Sequence, residues 1–325
     1  LLAGPARASS IEAVDEEARF LSGSVIDAIM SRNIDWLETT SARFRSEKTR
    51  SLVGGWMLRA FYRDVENQCV SPPPDPEINE PLLAMLPAWK ERFPRSPTPY
   101  IIEATCRLAL ASAIRGNQTV DKVWEDAWAA MAAELARSTE VLVSSASVSA
   151  ADPQWHAVKA RINLLMGVDE ARFMAEIERA IAAEPMYFAY YDVTALRLLP
   201  RWGGSYAKPE RFARYAAEKT RHIAGDAMYA YVAFALRGLH SDREILRDFK
   251  FDWRRVKAGT LQLIGLGTVA DINQMFDLAE MACVARDQRT VAAMMDKART
   301  LDLEVPKDAS ATFCRDYLKS RPQGH

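Results

Sequence analysis

The sequence has few histidines and cysteines, two residue types that often take part in catalysis or bind metal ions. It contains four histidines, and no two of them lie three or four positions apart, so the helical pair of histidine metal ligands is missing. Its four cysteines form no Cys-x-x-Cys motif, which argues against a zinc site or a thioredoxin-type redox site. We therefore predict no metal site and no cofactor.

Two further absences narrow the class of protein. Lysine and arginine total 42 against 43 aspartate and glutamate residues, so the chain lacks the positive excess typical of nucleic-acid-binding proteins. The basic residues between Arg243 and Lys257 have acidic neighbours, which favours a solvated helix face. No apolar run is long enough to span a bilayer. We expect a protein or peptide partner, no nucleic acid and no membrane span.

Apolar residues recur at helical spacing almost everywhere, and alternating β-branched runs are nearly absent. This pattern predicts an all-α fold. In the last part of the chain, helix pairs of roughly 34 residues match tetratricopeptide-like units, which predicts a right-handed superhelix of antiparallel helix pairs. The predicted parts are a start at 1–10, N-terminal helices at 11–70, a proline-rich connector at 71–79, middle helices at 80–150 and a tetratricopeptide-like array at 151–325.

Two features bear on the cellular compartment. The small-residue pattern Ala6-Arg7-Ala8 is typical of the end of an export signal and favours a periplasmic protein, with an alanine-rich cytoplasmic protein as the alternative. Four cysteines allow two disulfides, but Cys106 and Cys283 lie within apolar helical patterns, where cysteine acts as a small hydrophobe. We therefore predict that Cys106 and Cys283 are buried thiols.

The most specific local signal is the run 198–205, which interrupts a helical segment. Pro200 cannot occupy a helix interior, so we expect the helix to end here and the chain to turn sharply. The adjacent Gly203 and Gly204 favour positive φ or a close approach between backbones. The run predicts a structural corner between two helices.

Arg201 and Trp202 in this corner have two interpretations. In the structural one, Arg201 bonds the carbonyl groups at the broken helix end while Trp202 fills the gap between helices. In the binding one, the guanidinium holds a partner's carboxylate and the indole is an anchor. Tyr187, Tyr191 and Tyr206 lie nearby in sequence and would add an aromatic-rich groove.

Three stretches resemble those of a known family. They are Arg115-Gly116, the corner from Leu199 to Ser205, and a set running from Trp253, Lys257 and Gly259 through Asn273, Phe276, Ala279, Ala282 and Cys283 to Asp287. Together they resemble a bacterial family known as domain of unknown function 4034, related to tetratricopeptide-like arrays. The chain departs from it at 111–114, where a tryptophan is expected, and at 265–267, where a Tyr-Pro-like turn is typical. The family has no established activity, so the resemblance implies a helical array and no chemistry.

Stacked helix pairs bury a continuous core and leave an extended inner face that suits recognition. We therefore predict a non-catalytic protein-binding scaffold that uses a concave surface, with a secreted toxin or a secretion component as one partner class. The alternative is a hydrolase-type enzyme with a groove near Arg201, Tyr206 and His222. A closed pocket with convergent titratable groups would favour the enzyme, and an open aromatic groove the scaffold.

Overall fold

The chain is built from helices joined by turns. A computed structural model describes residues 10–71, 77–116, 123–268, 271–300 and 309–320. These residues contain no strand and only two isolated bridge pairs. The predicted all-α class is therefore confirmed.

The helices follow one another closely along the chain. The first nine are α1 (Ser10–Met30), α2 (Ile34–Ser46), α3 (Met57–Glu66), α4 (Glu80–Arg92), α5 (Thr98–Arg115), α6 (Glu125–Ser144), α7 (Ala146–Ser149), α8 (Pro153–Leu165) and α9 (Glu170–Ala183). After them come α10 (Ala189–Arg197), a 3-10 helix (Pro200–Trp202), α11 (Lys208–Ala224), α12 (Ala227–Ala235), α13 (Asp242–Arg247), α14 (Trp253–Ile264), α15 (Ile272–Val284), α16 (Gln288–Thr300) and α17 (Ala309–Ser320). Of the predicted parts, 1–9 of the start and 72–76 of the proline-rich connector lie outside the described residues.

The chain divides into two compact units. Unit 1 comprises Leu1–Ala18, Ser51–Gly55 and Thr194–His325, and unit 2 comprises Arg19–Arg50 and Trp56–Val193. Each unit has its own buried apolar residues and its own disulfide.

The core of unit 2 is built around α5, which packs against α3, α4, α6 and α8. Ile101 and Leu108 on α5 are fully buried. The helix ends where Gly116 adopts φ 66°, a conformation that favours glycine. The neighbouring α4 is capped at its N-terminus by Asn79, whose side chain accepts a hydrogen bond from the backbone N–H of Leu82 at 2.9 Å. Local capping signals therefore set the ends of the helices that surround this core.

In unit 1, α12 lies against α11 and α14. Gly259 allows the close approach of α14, because a Cβ at this position would lie 2.2 Å from the carbonyl oxygen of Asp226 and 2.9 Å from the Cβ of Ala230. The helices α15, α16 and α17 pack around a second cluster that includes Leu278 and Val291. One glycine of the family-like pattern is thus explained by helix packing.

All four cysteines form disulfides, so the prediction of buried thiols is wrong. Cys69 is bonded to Cys106, with their Cα atoms 4.7 Å apart, and Cys283 is bonded to Cys314, with their Cα atoms 5.2 Å apart. The predicted burial is correct, since Cys106 is 0% and Cys283 is 3% exposed. Their partners lie just after α3 and on α17, and tertiary packing rather than helical spacing brings them to α5 and α15.

Candidate functional site

The corner that follows α10 is a compact turn. Gly203 adopts φ 81°, the left-handed conformation that the glycine pair predicts. A Cβ on Gly204 would lie 1.9 Å from the carbonyl oxygen of Leu198, so the backbones approach too closely for any side chain there. The N–H of Ser205 donates to the same carbonyl at 3.0 Å. The two glycines thus meet two different backbone requirements of one structural corner.

Arg197, and not Arg201, bonds the carbonyl at the end of this corner. The Arg197 side chain is largely buried, and its Nη1 donates to the carbonyl oxygen of Trp202 at 2.7 Å. Arg201 is exposed, its guanidinium lies 6.0 Å from the centre of the Trp202 ring, and it makes no side-chain hydrogen bond within the described part of the chain. Trp202 is half-buried, so it fills the predicted gap only in part.

The three tyrosines of the predicted aromatic groove have different environments. Tyr187 and Tyr191 belong to unit 2 and are fully buried. The Tyr187 hydroxyl donates to Oε1 of Gln154 at 2.6 Å, and the Tyr191 hydroxyl donates to a backbone carbonyl at 2.7 Å. Tyr206 belongs to unit 1, is 51% exposed and packs edge-on against Phe249 with ring centres 5.1 Å apart. Only Tyr206 offers an exposed ring to a partner.

The alternative hydrolase site receives no support from local geometry. His222 is exposed on α11. Across the described residues, no hydrogen bond or ion pair joins His222 to Arg201 or Tyr206. The structure therefore shows no acid–base pair assembled from these three residues.

A buried polar network in unit 2 centres on Asp152. Arg45 Nε donates to Oδ2 of Asp152 at 2.6 Å, and the Tyr62 hydroxyl donates to the same oxygen at 2.9 Å. The backbone N–H of Gln154 donates to Oδ1 at 2.8 Å. Burial first, and then the negative charge of Asp152, raise the pKa of Tyr62 far above its usual value, so the phenol remains a donor. The network is satisfied internally and joins α2, α3 and the start of α8.

A second charged cluster in unit 1 is satisfied in the same way. Arg237 donates to Oδ1 of Asp242 at 2.7 Å and also binds Asp277 and Glu280. The Tyr317 hydroxyl donates to Oδ2 of Asp242 at 2.6 Å. Burial raises the pKa of Asp277, against the opposing effect of Arg237. This cluster joins the turn after α12 to α13, α15 and α17 through pairs that are already complete.

A cavity of about 430 Å³ in unit 2 is bordered by α4, α5 and α6. Five of its six charged side chains form ion pairs with one another, whereas Glu80 forms none with a described residue. Lys90 Nζ lies 2.5 Å from an oxygen of Glu103, and Arg107 lies 3.2 Å from Glu103 and 3.4 Å from Glu134. Arg137 also binds Glu134. Apart from Glu80, the charged groups of this cavity therefore already have partners.

A groove in unit 1 differs from this cavity in its charges. It has a volume of about 570 Å³, within the usual range for binding sites of about 300–1,000 Å³. We call it the arginine groove. Its apolar surface is formed by side chains from α13, α14, α15, α17 and the turn before α14, namely Leu246, Phe251, Trp253, Val284 and Leu318.

Three arginines line the arginine groove, and none of the described residues in its lining is a carboxylate. Arg247 is bound to Asp248 through two hydrogen bonds of 2.7 and 3.0 Å. Arg243 on α13 and Arg286 in the turn after α15 are exposed. The side chains of these two residues make no hydrogen bond or ion pair with any described residue. The groove thus carries two positive charges that no described residue pairs.

The acidic residues close to the groove in sequence are occupied elsewhere. Glu244 accepts hydrogen bonds from the backbone N–H and the hydroxyl of Ser241, at 2.8 and 2.7 Å, and the backbone bond in particular lowers the pKa of Glu244. Asp287 accepts a hydrogen bond from Lys257 Nζ at 2.8 Å. This bond, with others from Thr290, holds the pKa of Asp287 well below its usual range. Neither of these two carboxylates forms an ion pair with Arg243 or Arg286.

A disulfide and a buried hydrogen bond connect helices that line the groove. The Cys283–Cys314 disulfide joins α15 to α17. The buried hydrogen bond between the Tyr317 hydroxyl and Asp242 joins α17 to α13. A site whose walls are already held in place loses less conformational entropy when a ligand binds.

The sequence interpretation missed this groove. It assigned the arginines between Arg243 and Lys257 to a solvated helix face, because acidic residues are interspersed among them. The usable signal was the i, i+4 spacing of Arg243 and Arg247 together with Leu246 on the same short helix. The contribution of Arg286, which lies far along the chain, depends on tertiary structure.

Within the ranges that the structure covers, no helix is both long and apolar enough to cross a membrane, and no group of three or more potential metal ligands comes together. No protein family, no curated protein and no solved structure matches this chain.

Proposed function

We propose that this chain is a non-catalytic scaffold that binds a segment of another protein in the arginine groove. The observation that carries the proposal is a groove with an apolar lining and two guanidinium groups that no described residue pairs, whose helices are joined by a disulfide and a buried hydrogen bond. Interfaces of this kind combine an apolar centre with a polar rim, and arginine is enriched in their energetically dominant positions.

The polar clusters around Asp152 and Arg237 have hydrogen-bond partners within the chain, which favours a binding role over an enzymatic one. Asp152 and Arg237 lie at the centres of two buried networks, and each has its hydrogen bonds supplied from within the chain. A catalytic group usually combines a perturbed pKa with a position in a cleft. The groove is lined instead by arginines and apolar groups, which recognise a partner without reacting with it.

The two disulfides support a location in an oxidising compartment, since such bonds persist mainly outside the reducing cytosol. We propose the periplasm, with a secreted protein as the partner. A tetratricopeptide-like superhelix and membership in the domain of unknown function 4034 family remain part of this proposal. Such a superhelix would add an extended surface around the groove.

The experiment is a selection of linear peptides from a random display library on the oxidised protein, followed by calorimetric titration of the enriched peptides. Ala285→Trp places a large side chain in the groove lining without changing its charge. Ala182→Trp on the exposed side of α9 in unit 2 is the matched control. We expect Ala285→Trp to weaken binding at least about tenfold and the control to leave it unchanged. No enriched peptide, or equal binding to both variants, would contradict the proposal.

A further inference from the structure

Resting on the proposed binding function, we propose that the occupant of the arginine groove is an acidic segment of a partner protein, in which side-chain carboxylates flank apolar residues. The existence of a groove alone leaves the chemistry of its partner open.

The charge balance around the groove carries the argument. Arg243 and Arg286 have no acidic partner among the described residues, whereas Asp242, Glu244 and Asp287 are each held by other groups. An exposed arginine pays little desolvation cost until a ligand arrives, and it then forms charge-assisted, frequently bidentate hydrogen bonds to carboxylates. The complement of this surface is therefore negatively charged.

The placement of the two arginines favours more than one carboxylate. Arg243 lies on α13, and Arg286 lies in the turn between α15 and α16, so they belong to different walls of the groove. A chain terminus offers one carboxylate, whereas an internal acidic segment offers several along its length. We therefore assign the charge to aspartate or glutamate side chains rather than to a terminal carboxylate.

The floor of the groove requires apolar groups between those carboxylates. Leu246 is half-buried, and Leu318 is 43% exposed although it lines the groove. Apolar side chains of a partner would remove this surface from water, a contribution that a nucleic-acid backbone cannot make. A chain with a net charge of -1 also lacks the broad positive field that a polyanion requires.

The test uses two synthetic peptides, capped at both ends, of the same length and the same leucine positions. One carries glutamate at the remaining positions and the other carries glutamine. Fluorescence anisotropy with the oxidised full chain should show about tenfold tighter binding of the glutamate peptide at low salt. Its affinity should fall as sodium chloride is raised, because exposed charges are screened. The glutamine peptide with a free C-terminus should bind no better than its capped form.

Variants of the chain then test whether Arg243 and Arg286 cause the preference for glutamate. The double substitution Arg243→Gln with Arg286→Gln should abolish the preference for glutamate, and the corresponding lysine substitutions should restore most of it. Arg221→Gln and Arg289→Gln, both at exposed positions outside the groove lining, should leave the preference unchanged.

Five results would overturn the assignment. They are equal binding of the two peptides, salt-independent binding, an unaltered preference in the glutamine double variant, tighter binding of the glutamine peptide when its C-terminus is free, and tighter binding of a single-stranded DNA oligomer than of the glutamate peptide. If the peptides bind equally but Ala285→Trp still blocks them, the groove binds protein segments and only the assigned charge is wrong. The salt titration needs no variant, so it decides the matter even if a substituted chain fails to fold.

Discussion

At the scale of single residues, the two glycines of the corner are required for different reasons. Their alanine variants should therefore lose different amounts of stability. Gly203 has positive φ, but no atom lies within 4 Å of the Cβ position, so Gly203→Ala should cost only the left-handed backbone penalty, about 1–2 kcal/mol. Gly204→Ala places a Cβ against the Leu198 carbonyl and should cost about 3 kcal/mol. Urea denaturation of the two variants compares these losses. Equal losses would show that the close contact is relieved by a small backbone shift.

Asp287 should make unfolding sensitive to acid. Its folded pKa lies below the usual 3.8, chiefly because Lys257 donates a hydrogen bond to it. The stabilisation is complete above the unfolded pKa and is lost as pH falls through it towards the folded value. Asp287→Asn should therefore cost about 2 kcal/mol at pH 7 and progressively less below pH 4, because a charge-assisted bond is lost. A constant difference between the variant and the parent across this pH range would refute the assignment.

Single-residue signals were readable from the sequence only where the constraint is local. The positive φ at Gly203 follows from a Pro-Arg-Trp-Gly-Gly run. The partner of the Trp202 carbonyl does not, because Arg197 and Arg201 are equally plausible from spacing, and the burial of the Arg197 guanidinium decides between them. The aromatic groove was predicted from tyrosines that are close in sequence. Tyr187 and Tyr191, however, direct their hydroxyls into the core of unit 2.

At the scale of elements, α17 depends on long-range links for its position. It is tied to α15 by the Cys283–Cys314 disulfide, and it contributes Leu318 to the arginine groove. Cys283→Ser with Cys314→Ser should therefore increase amide hydrogen exchange in α17 and weaken binding of groove ligands. Cys69→Ser with Cys106→Ser in unit 2 is the matched control and should leave exchange in α17 unchanged. Unchanged exchange in the first variant would show that the Tyr317–Asp242 bond and apolar packing hold α17 without the disulfide.

Element boundaries were predictable because caps and helix-stopping residues act within one turn. Asn79, Asp169 and Asp271 accept hydrogen bonds from the first turns of α4, α9 and α15, and Gly116 and Gly225 end α5 and α11. The groove could not be predicted in this way. Its lining comes from four helices, and its charge depends on which carboxylates find partners after folding.

At the scale of the whole molecule, the redox state of the cysteines should decide how stable the chain is. The disulfides span separations of 37 and 31 residues, and each should contribute about 3–4 kcal/mol in the chain-entropy description. Together they would supply a large share of the roughly 5–15 kcal/mol typical of folded proteins. Alkylation of the oxidised chain under denaturing, non-reducing conditions should add no label, and after reduction it should add one label to each of the four cysteines. The reduced chain should also melt at a distinctly lower temperature. Labelling before reduction would remove the argument for an oxidising compartment. Identical melting of the two forms would refute the stabilising role of the disulfides, and neither result would alter the charge of the arginine groove.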